Sequence, residues 1–349
     1  MVPKLRFSGF DHNYSKCKVQ SMGTFIGGGT PSTENKEYWS GNIPWVSSSD
    51  IKDSNVHHIN YNNFITNEAI QNSATKLVSK NSILFVSRVG IGKLAVTKNQ
   101  ITTSQDFTNL KLNENHDSYY VAYLFSSKMN IFKSISQGTS IKGYTIKDFK
   151  SVTVNVPKLE EQKKIASFLS SVDEKISRLE KKKTLLETYK RGIMQKIFSQ
   201  ELRFKDENGQ EFPEWEVTSL GSVSIINMGQ SPDSKSYNNN KEGIPLIQGN
   251  ADIQNRMTIP RQFTSSPTKK CVPNDIIMTV RAPVGYVSLS KHHACIGRGV
   301  CSISSTQHSE IKFLYQLLLN QEDHWYKLEQ GSTFKAVSGK DINNLKEFK

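Results

Sequence analysis

The sequence predicts an α+β protein in which two copies of one α/β domain are joined by a single long coiled-coil helix. Three observations favour this architecture: a motif that occurs twice at a long offset, short strands and helices at matching places in both copies, and a proline-free helical segment between them. The predicted limits are 1–155 for the first domain, 156–199 for the connecting helix and 200–349 for the second domain.

The duplication is clearest in a Gln-Gly motif near the end of each copy. The letters QGTS at 137–140, followed by Lys142, return as QGST at 330–333, followed by Lys335. The offset is 193 residues (330 minus 137). Solenoid repeats have periods of about 20 to 50 residues, so this repeat indicates a duplicated domain. The function is therefore carried out at two sites.

Within each copy the pattern alternates between short strands and short helices. Apolar, β-branched runs at 42–46, 83–86 and 276–280 predict strands, and the intervening segments are rich in Gly, Ser, Asn and Thr. Apolar segments without Gly or Pro at 119–128 and 311–320 predict one helix in each copy, before the Gln-Gly motif. A mixed α/β domain with a loop-rich face results, and such faces usually carry function.

The segment between the copies predicts one helix from Leu159 to Phe198. Pro157 precedes it, acidic residues begin it, and it contains no proline. Its apolar positions alternate in steps of four and three, which indicates a coiled-coil seam that needs a partner helix. An ordinary amphipathic helix lying on one domain is the alternative. The predicted helix interface comprises Ile165, Leu169, Val172, Ile176, Leu179, Leu186, Ile193 and Ile197, with Lys183 and Lys190 interrupting the seam.

The composition favours binding to a polyanion and argues against a membrane protein. The net charge is +13 and the isoelectric point is about 9.4. No run of 18 apolar residues occurs, and the first 13 residues lack the apolar core of a secretion signal, so we expect a cytoplasmic protein.

The cysteines predict free thiols. Cys17, Cys271, Cys295 and Cys301 show no paired short spacing. Zinc binding by the 292–301 region, which holds two histidines and two cysteines, is the alternative; it lacks the usual C-x2-C or H-x3-5-H spacing. We therefore expect no metal and no cofactor.

Catalytic motifs are missing from the sequence. The run GIGK at 90–93 lacks the upstream glycine and the hydroxyl residue of a phosphate-binding P-loop. Asp233 and Glu242 could begin a nuclease carboxylate cluster, but the first copy has Ser32 in place of Asp233, so turn residues are expected there. The sequence therefore predicts a protein that is not itself an enzyme, with a stand-alone nuclease or methyltransferase as the alternative.

The remaining motifs carry residue types that bind nucleic acid. Arg88 and Arg281 each follow a strand and precede a Gly-containing turn, where a guanidinium reaches phosphate or the edge of guanine; a surface ion pair is the alternative. Both Gln-Gly motifs supply amides, hydroxyls and a cation for phosphate contacts. The polar loops at 47–50 and 248–252 differ between copies, which suits recognition of two different sequences. The DNA-binding candidates are Arg88, Thr139, Ser140, Lys142, Ser47 and Ser49 in the first copy, and Arg281, Ser332, Thr333, Lys335, Gln248 and Asn250 in the second.

At these residues the chain resembles the specificity (S) subunit of Type I restriction-modification systems. The most specific match is the helix and its entry at 156–198; GGGTPST at 27–33, YWSGNIPWVSSSDI at 38–51 and FPEWEVTSLG at 212–221 support it. The resemblance implies two target recognition domains, each of which reads one half of a bipartite double-stranded DNA site, and a helix that sets the gap between the halves. It also implies modification subunits that methylate adenine and restriction (motor-nuclease) subunits that cleave DNA.

The resemblance also predicts how the seam is completed. Family members usually have a second conserved helix after the second domain, antiparallel to the first. Lys349 aligns with Val156 (349 minus 193), just before that helix would begin. We therefore expect either a shortened form or a partner helix from a second chain, for instance in an antiparallel homodimer.

Overall fold

The computed structural model describes residues 3–53, 55–134, 146–323, 325 and 336–345. Packing divides the chain into two compact units, Met1–Lys181 and Lys182–Lys349. The division falls inside the long helix, because the first turns of this helix pack on the first unit and its last residues pack on the second.

The first unit is built from short strands, four short helices and the start of the long helix. Its described strands are β1 (Ser15–Lys18), β2 (Gly23–Gly27), β3 (Ile43–Val46), β4 (Asn63–Ile65), β5 (Ile83–Val86), β6 (Leu94–Val96), β7 (Thr102–Thr103), β8 (Phe107–Leu112) and β9 (Thr153–Val156). Its described helices are α1 (Asn67–Gln71), α2 (Ser118–Ser127), α3 (Met129–Ser134), α4 (Ile146–Ser151) and α5 (Leu159–Phe198), of which α5 continues into the second unit.

Three small sheets organise these strands. Their orders are β2-β8-β5-β6, β4-β3-β7 and β1-β9. In the second of these sheets β3 runs parallel to β7, with Trp45 opposite Thr102 and Val46 opposite Thr103. This parallel pair brings the segments that follow β3 and β7 to the same edge.

The core of the first unit is aromatic. Phe85, Phe125, Phe132 and Phe149 are fully buried and come from a strand and three different helices. Their ring centroids lie 4.8 Å apart for Phe85 and Phe149 and 5.4 Å apart for Phe125 and Phe132. Aromatic rings bury much apolar surface and gain further from edge-to-face contacts, so this cluster joins the helices to the sheet.

The second unit repeats the architecture with longer sheets. Its described strands are β10 (Ser224–Met228), β11 (Tyr237–Asn238), β12 (Ile244–Ile247), β13 (Ile253–Gln254), β14 (Met257–Thr258), β15 (Gln262–Thr264), β16 (Lys270–Cys271), β17 (Ile276–Thr279), β18 (Val287–Leu289), β19 (Ala294–Ile296) and β20 (Val300–Ser305). Its further described helices are α6 (Leu220–Val223), α7 (Ile311–Asn320) and α8 (Gly339–Asn343).

The two sheet orders described in the second unit contain those of the first unit's two larger sheets and extend them. They are β10-β20-β17-β18-β14-β13 and β11-β15-β12-β19-β16. Here β12 runs parallel to β19, with Leu246 opposite Cys295. The buried residues Leu314, Leu317 and Leu318 place the apolar face of α7 against this unit's core, as the spacing of three and four predicts.

Most sequence-predicted elements are confirmed. The helix at 159–198 and the helix at 311–320 have the predicted limits, and the helix predicted at 119–128 lies at 118–127. The strand predicted at 276–280 ends at Thr279, since the backbone of Val280 bonds outside the strand, to Gly299 and Val337. The predicted α+β architecture, with two α/β units and one long helix, is confirmed.

The described residues also show the state of the cysteines and the character of the helices. All four cysteines are free, and Cys271, Cys295 and Cys301 are buried. Across the described ranges, no helix is both long enough and apolar enough to cross a membrane.

Candidate nucleic-acid recognition sites

Four loops of the first unit meet at one edge. The Gly29 amide donates to the Thr103 carbonyl at 2.8 Å, and the Ser104 amide donates to Val46 at 2.9 Å. The Ser87 amide donates to the Asp106 carbonyl at 2.8 Å. We call these four loops the recognition loops of the first unit: 28–31, 47–50, 87–93 and 104–106.

The second unit builds the same arrangement with the same backbone bonds. The Gln230 amide donates to Ile296 at 2.9 Å, the Gly297 amide to Ile247 at 2.8 Å and the Val280 amide to Gly299 at 3.0 Å. Its recognition loops are 229–232, 248–252, 280–286 and 297–299. The first two loops start 201 residues after their counterparts (229 minus 28) and the last two start 193 residues after theirs (297 minus 104).

A glycine allows the first loop to pack on the last loop in both units. A Cβ atom at Gly28 would lie 1.9 Å from the Ser104 carbonyl oxygen, and one at Gly229 would lie 2.1 Å from the Gly297 carbonyl oxygen. Side chains cannot be accommodated at such distances, so both positions require glycine. The close backbone packing fixes the turn at 104–106 and the turn at 297–299.

A buried aspartate anchors the second loop of each unit. Asp50 accepts a hydrogen bond from the Ser47 amide at 2.8 Å, and Asp252 accepts one from the Gln248 amide at 2.8 Å. Both carboxylates are almost fully buried. Asp252 also accepts a hydrogen bond from Arg261 at 2.9 Å. These bonds satisfy buried acceptors, so the aspartates hold the loops and do not face a ligand.

The predicted residues of the described loops lie on or beside these edges. Arg88 and Arg281 are both exposed and follow β5 and β17. The Ser47 hydroxyl donates to Asp50 at 2.6 Å and lies 2.8 Å from the Ser49 hydroxyl, so Ser47 caps a short helix while Ser49 is exposed. The loop of Arg88 approaches the loop of Ser47 and Ser49, since Lys93 Nζ donates to the Ser48 carbonyl at 3.5 Å.

In the second unit Gln248 and Asn250 share a loop beside Arg281. Gln248 is half-buried and its amide donates to Gln262 Oε1 at 3.1 Å, whereas Asn250 is exposed. The other predicted contacts lie outside the described residues: Thr139, Ser140, Lys142, Ser332, Thr333 and Lys335.

Two exposed residues in these loops were not among the sequence candidates. Gln105 is exposed at the tip of the turn 104–106, and Arg298 is exposed at the tip of the turn 297–299. They are 193 residues apart (298 minus 105), which is the offset of the Gln-Gly motif. The offset alone therefore pairs them, although the two turns, SQD and GRG, share no residue.

The predicted helix interface is half-buried at both ends and exposed in the middle. Ile165 and Leu169 are half-buried, Leu179 is 56% exposed and Leu186 is 55% exposed. Val172 and Ile176 in the middle are exposed as well, whereas Ile193 and Ile197 at the other end are half-buried. A row of exposed apolar side chains on one helix remains available to a partner helix.

Metal ligands are not assembled in the described part of the chain. No group of three or more His, Cys, Asp or Glu side chains there could hold a metal ion. Asp233 accepts a hydrogen bond from the Lys235 amide and caps a short helix, as expected of a turn residue.

Comparison with known proteins places this architecture in one family. The family model described as "Type I restriction modification DNA specificity domain" matches residues 12–188 and 213–346. A protein of Methanocaldococcus jannaschii, provisionally named the type I restriction enzyme MjaX specificity subunit, is 34% identical over 73% of this chain and 64% of its own. The MjaIX specificity subunit of the same organism is 33% identical over 66% of this chain and 56% of its own.

The chain thus spans about three fifths of the length of these curated relatives, 64% and 56% respectively. A solved structure supports the fold. The S subunit of a Type I restriction-modification system from M. genitalium superposes with a TM-score of 0.64 at 17% identity, covering 99% of this chain and 87% of that one.

Proposed function

Since the chain belongs to the family of the Type I restriction modification DNA specificity domain, we propose that it is the non-catalytic specificity subunit of a Type I restriction-modification complex. Each unit binds one half of a bipartite site in double-stranded DNA. The observation that carries the proposal is the repeated set of loops: the same backbone bonds form it twice, but several of its exposed polar side chains differ, such as Ser49 and Asn250. A shared scaffold with different side chains suits recognition of two different sequences.

The proposed division of labour follows the predicted domain limits. Residues 1–155 and 200–349 recognise DNA, and residues 156–199 set the gap between the half-sites and dock the modification subunits. The net charge of +13 supports contact with the phosphate backbone. Restriction subunits join this complex for cleavage, and the whole complex works in the cytoplasm.

The exposed seam of α5 supports a helical partner. Its apolar side chains from Val172 to Leu186 are exposed, and a partner helix packed against them would bury them from solvent. A second copy of this chain, paired antiparallel, supplies such a seam in a homodimer. A modification subunit is the other partner that the resemblance implies.

Mapping of methylated adenines in the host genome tests the proposal. The gene for this chain is deleted and then restored, and methylated motifs are compared. We expect one bipartite motif to vanish on deletion and to return on restoration. A continuous motif, or a set of motifs that does not change, would contradict the proposal. Methylation or cleavage by the purified chain alone would instead support the stand-alone enzyme.

A further inference from the structure

One position in the shared loop arrangement carries different chemistry in the two units. The turn after β7 presents Gln105, and the structurally equivalent turn after β19 presents Arg298. Each turn begins with an amide that donates to the last residue of the neighbouring parallel strand: Ser104 to Val46 at 2.9 Å and Gly297 to Ile247 at 2.8 Å. The backbone is therefore alike, and the exposed side chain at the tip differs.

The turn of Arg298 is fixed by its neighbours. The Arg298 amide donates to the Ser231 hydroxyl at 3.2 Å. A Cβ atom at Gly299 would lie 2.2 Å from the Gln248 carbonyl oxygen, so the turn packs directly on the loop of Gln248. The guanidinium forms no hydrogen bond or ion pair with any described residue. A firmly held backbone thus carries a side chain whose donors are all available.

Gln105 is held in a comparable way. The Ser104 hydroxyl accepts a hydrogen bond from the Asp106 amide at 3.3 Å, which closes the turn. The Thr30 hydroxyl donates to Gln105 Oε1 and orients the side-chain amide. The amide nitrogen and the second lone pair of Oε1 are left for a ligand.

We infer that Arg298 recognises a guanine in one half-site and that Gln105 recognises an adenine at the corresponding place in the other; this rests on the proposed function. An arginine fork pairs with O6 and N7 of guanine, and a glutamine amide pairs with N6 and N7 of adenine. Both pairings occur at base edges in the major groove, where an exposed turn reaches them.

The neighbouring arginines show why a base contact fits better than a phosphate contact. Arg88 and Arg281 are equivalent and keep the same chemistry, as suits the phosphate that every sequence presents. A phosphate contact at the turn tip would favour a cation in both units. The tip instead has a neutral amide in the first unit and a guanidinium in the second, so it distinguishes between bases.

Selection from randomised DNA tests the inference. The full chain, assembled with its modification subunits, selects duplexes, which are then sequenced. We expect Arg298→Gln to change one guanine of one half-site to adenine and to leave the other half-site unchanged. Gln105→Arg should change the corresponding adenine of the other half-site to guanine. Arg298→Lys keeps the charge but lacks the fork, so preference for guanine should fall about 5- to 150-fold.

The controls separate the two proposals. Arg281→Gln should weaken binding to all sequences alike and leave the selected motif intact. If the wild-type complex selects no bipartite motif, the proposed function is wrong. If the wild type selects a bipartite motif and Arg298→Gln retains its guanine while binding all sequences more weakly, Arg298 contacts phosphate and the inference is overturned. Unchanged thermal unfolding of the variants shows that each remains folded.

Discussion

The side chain of Gln162 accepts a hydrogen bond from the backbone amide of Asp117 at 3.0 Å, across 45 residues of sequence. Its own amide donates to the Pro157 carbonyl at 2.9 Å and to the Asn115 carbonyl at 3.3 Å, and the residue is only 1% exposed. These bonds join the first turn of α5 to the start of α2. Beside them, Arg6 donates to both carboxylate oxygens of the buried Glu161, at 2.7 and 2.6 Å.

Replacing Gln162 with leucine should therefore destabilise the first unit. The Asp117 amide and two carbonyl groups would lose their partner in a buried place, and we expect a loss of about 3 kcal/mol in the free energy of unfolding. Urea denaturation combined with hydrogen exchange of peptides from the first unit measures it. The matched control is Gln195→Leu at an exposed position of the same helix, with a change below about 0.5 kcal/mol. Equal losses in both variants would contradict the assigned role of Gln162.

Charged residues in the seam of α5 should prevent helix pairing. Ile176→Glu with Leu179→Glu places two carboxylates among exposed apolar side chains, where a partner helix would have to bury them. We expect a lower mass in solution or loss of docking to the modification subunits. Sedimentation and pull-down measure these outcomes.

A matched control for the seam variant changes the opposite face of α5. Arg178→Ala with Lys181→Ala alters the net charge by the same two units on exposed positions. This control should assemble normally. A seam variant with unchanged mass and unchanged docking would show that the interface is misassigned.

Acid should destabilise the first unit through two histidines. Burial lowers the pKa of His57 below its usual 6.5, against the opposing effect of Asp173 and with a smaller lowering from Lys98. Burial also lowers the pKa of His116. Near pH 6 the folded state therefore binds fewer protons than the unfolded chain. The contribution of the two histidines to the free energy of unfolding is complete above pH 6.5 and is lost as the pH falls towards their folded pKa values.

Denaturation midpoints between pH 8 and pH 5 measure this effect. The double variant His57→Gln with His116→Asn should lose less stability on acidification than the wild type. The same pH dependence in both proteins would show that these histidines are not responsible.

Removing the equivalent arginines should weaken DNA binding through salt-sensitive contacts. Arg88→Ala and Arg281→Ala each remove one exposed cation from a recognition edge. We expect the slope of log affinity against log salt concentration, which is negative, to decrease in magnitude by about 0.9 for each lost phosphate contact. Arg178→Ala on α5 is a control of equal charge, and its slope should be closer to that of the wild type. Identical slopes for all three variants would contradict phosphate contacts by the arginines of the recognition loops.

The elements predicted from sequence are those determined by local patterns. Helix α5 has the predicted limits because its apolar residues repeat in steps of four and three without a proline. The strand at 83–86 was equally clear, since it is a short buried run of apolar residues.

Contacts between distant segments were not predicted. The bond of Gln162 to Asp117 and the ion pair of Arg6 with Glu161 join residues 45 and 155 positions apart, and no periodicity marks them. The sequence makes Ser47 a DNA-binding candidate, and the structure adds that its hydroxyl donates to Asp50, a contact that sequence alone does not show. The structural equivalence of Gln105 and Arg298 rests on the matching backbone bonds of the two turns, Ser104 to Val46 and Gly297 to Ile247.

Footprinting of the chain assembled with its modification subunits tests the central claim most directly. A duplex that carries the mapped methylation motif is cleaved by hydroxyl radicals with and without the complex. Two recognition units predict two protected blocks separated by an accessible gap, and Arg281→Ala should weaken protection of one block more than the other. One continuous protected block, or no protection at all, would contradict recognition of two half-sites by this chain.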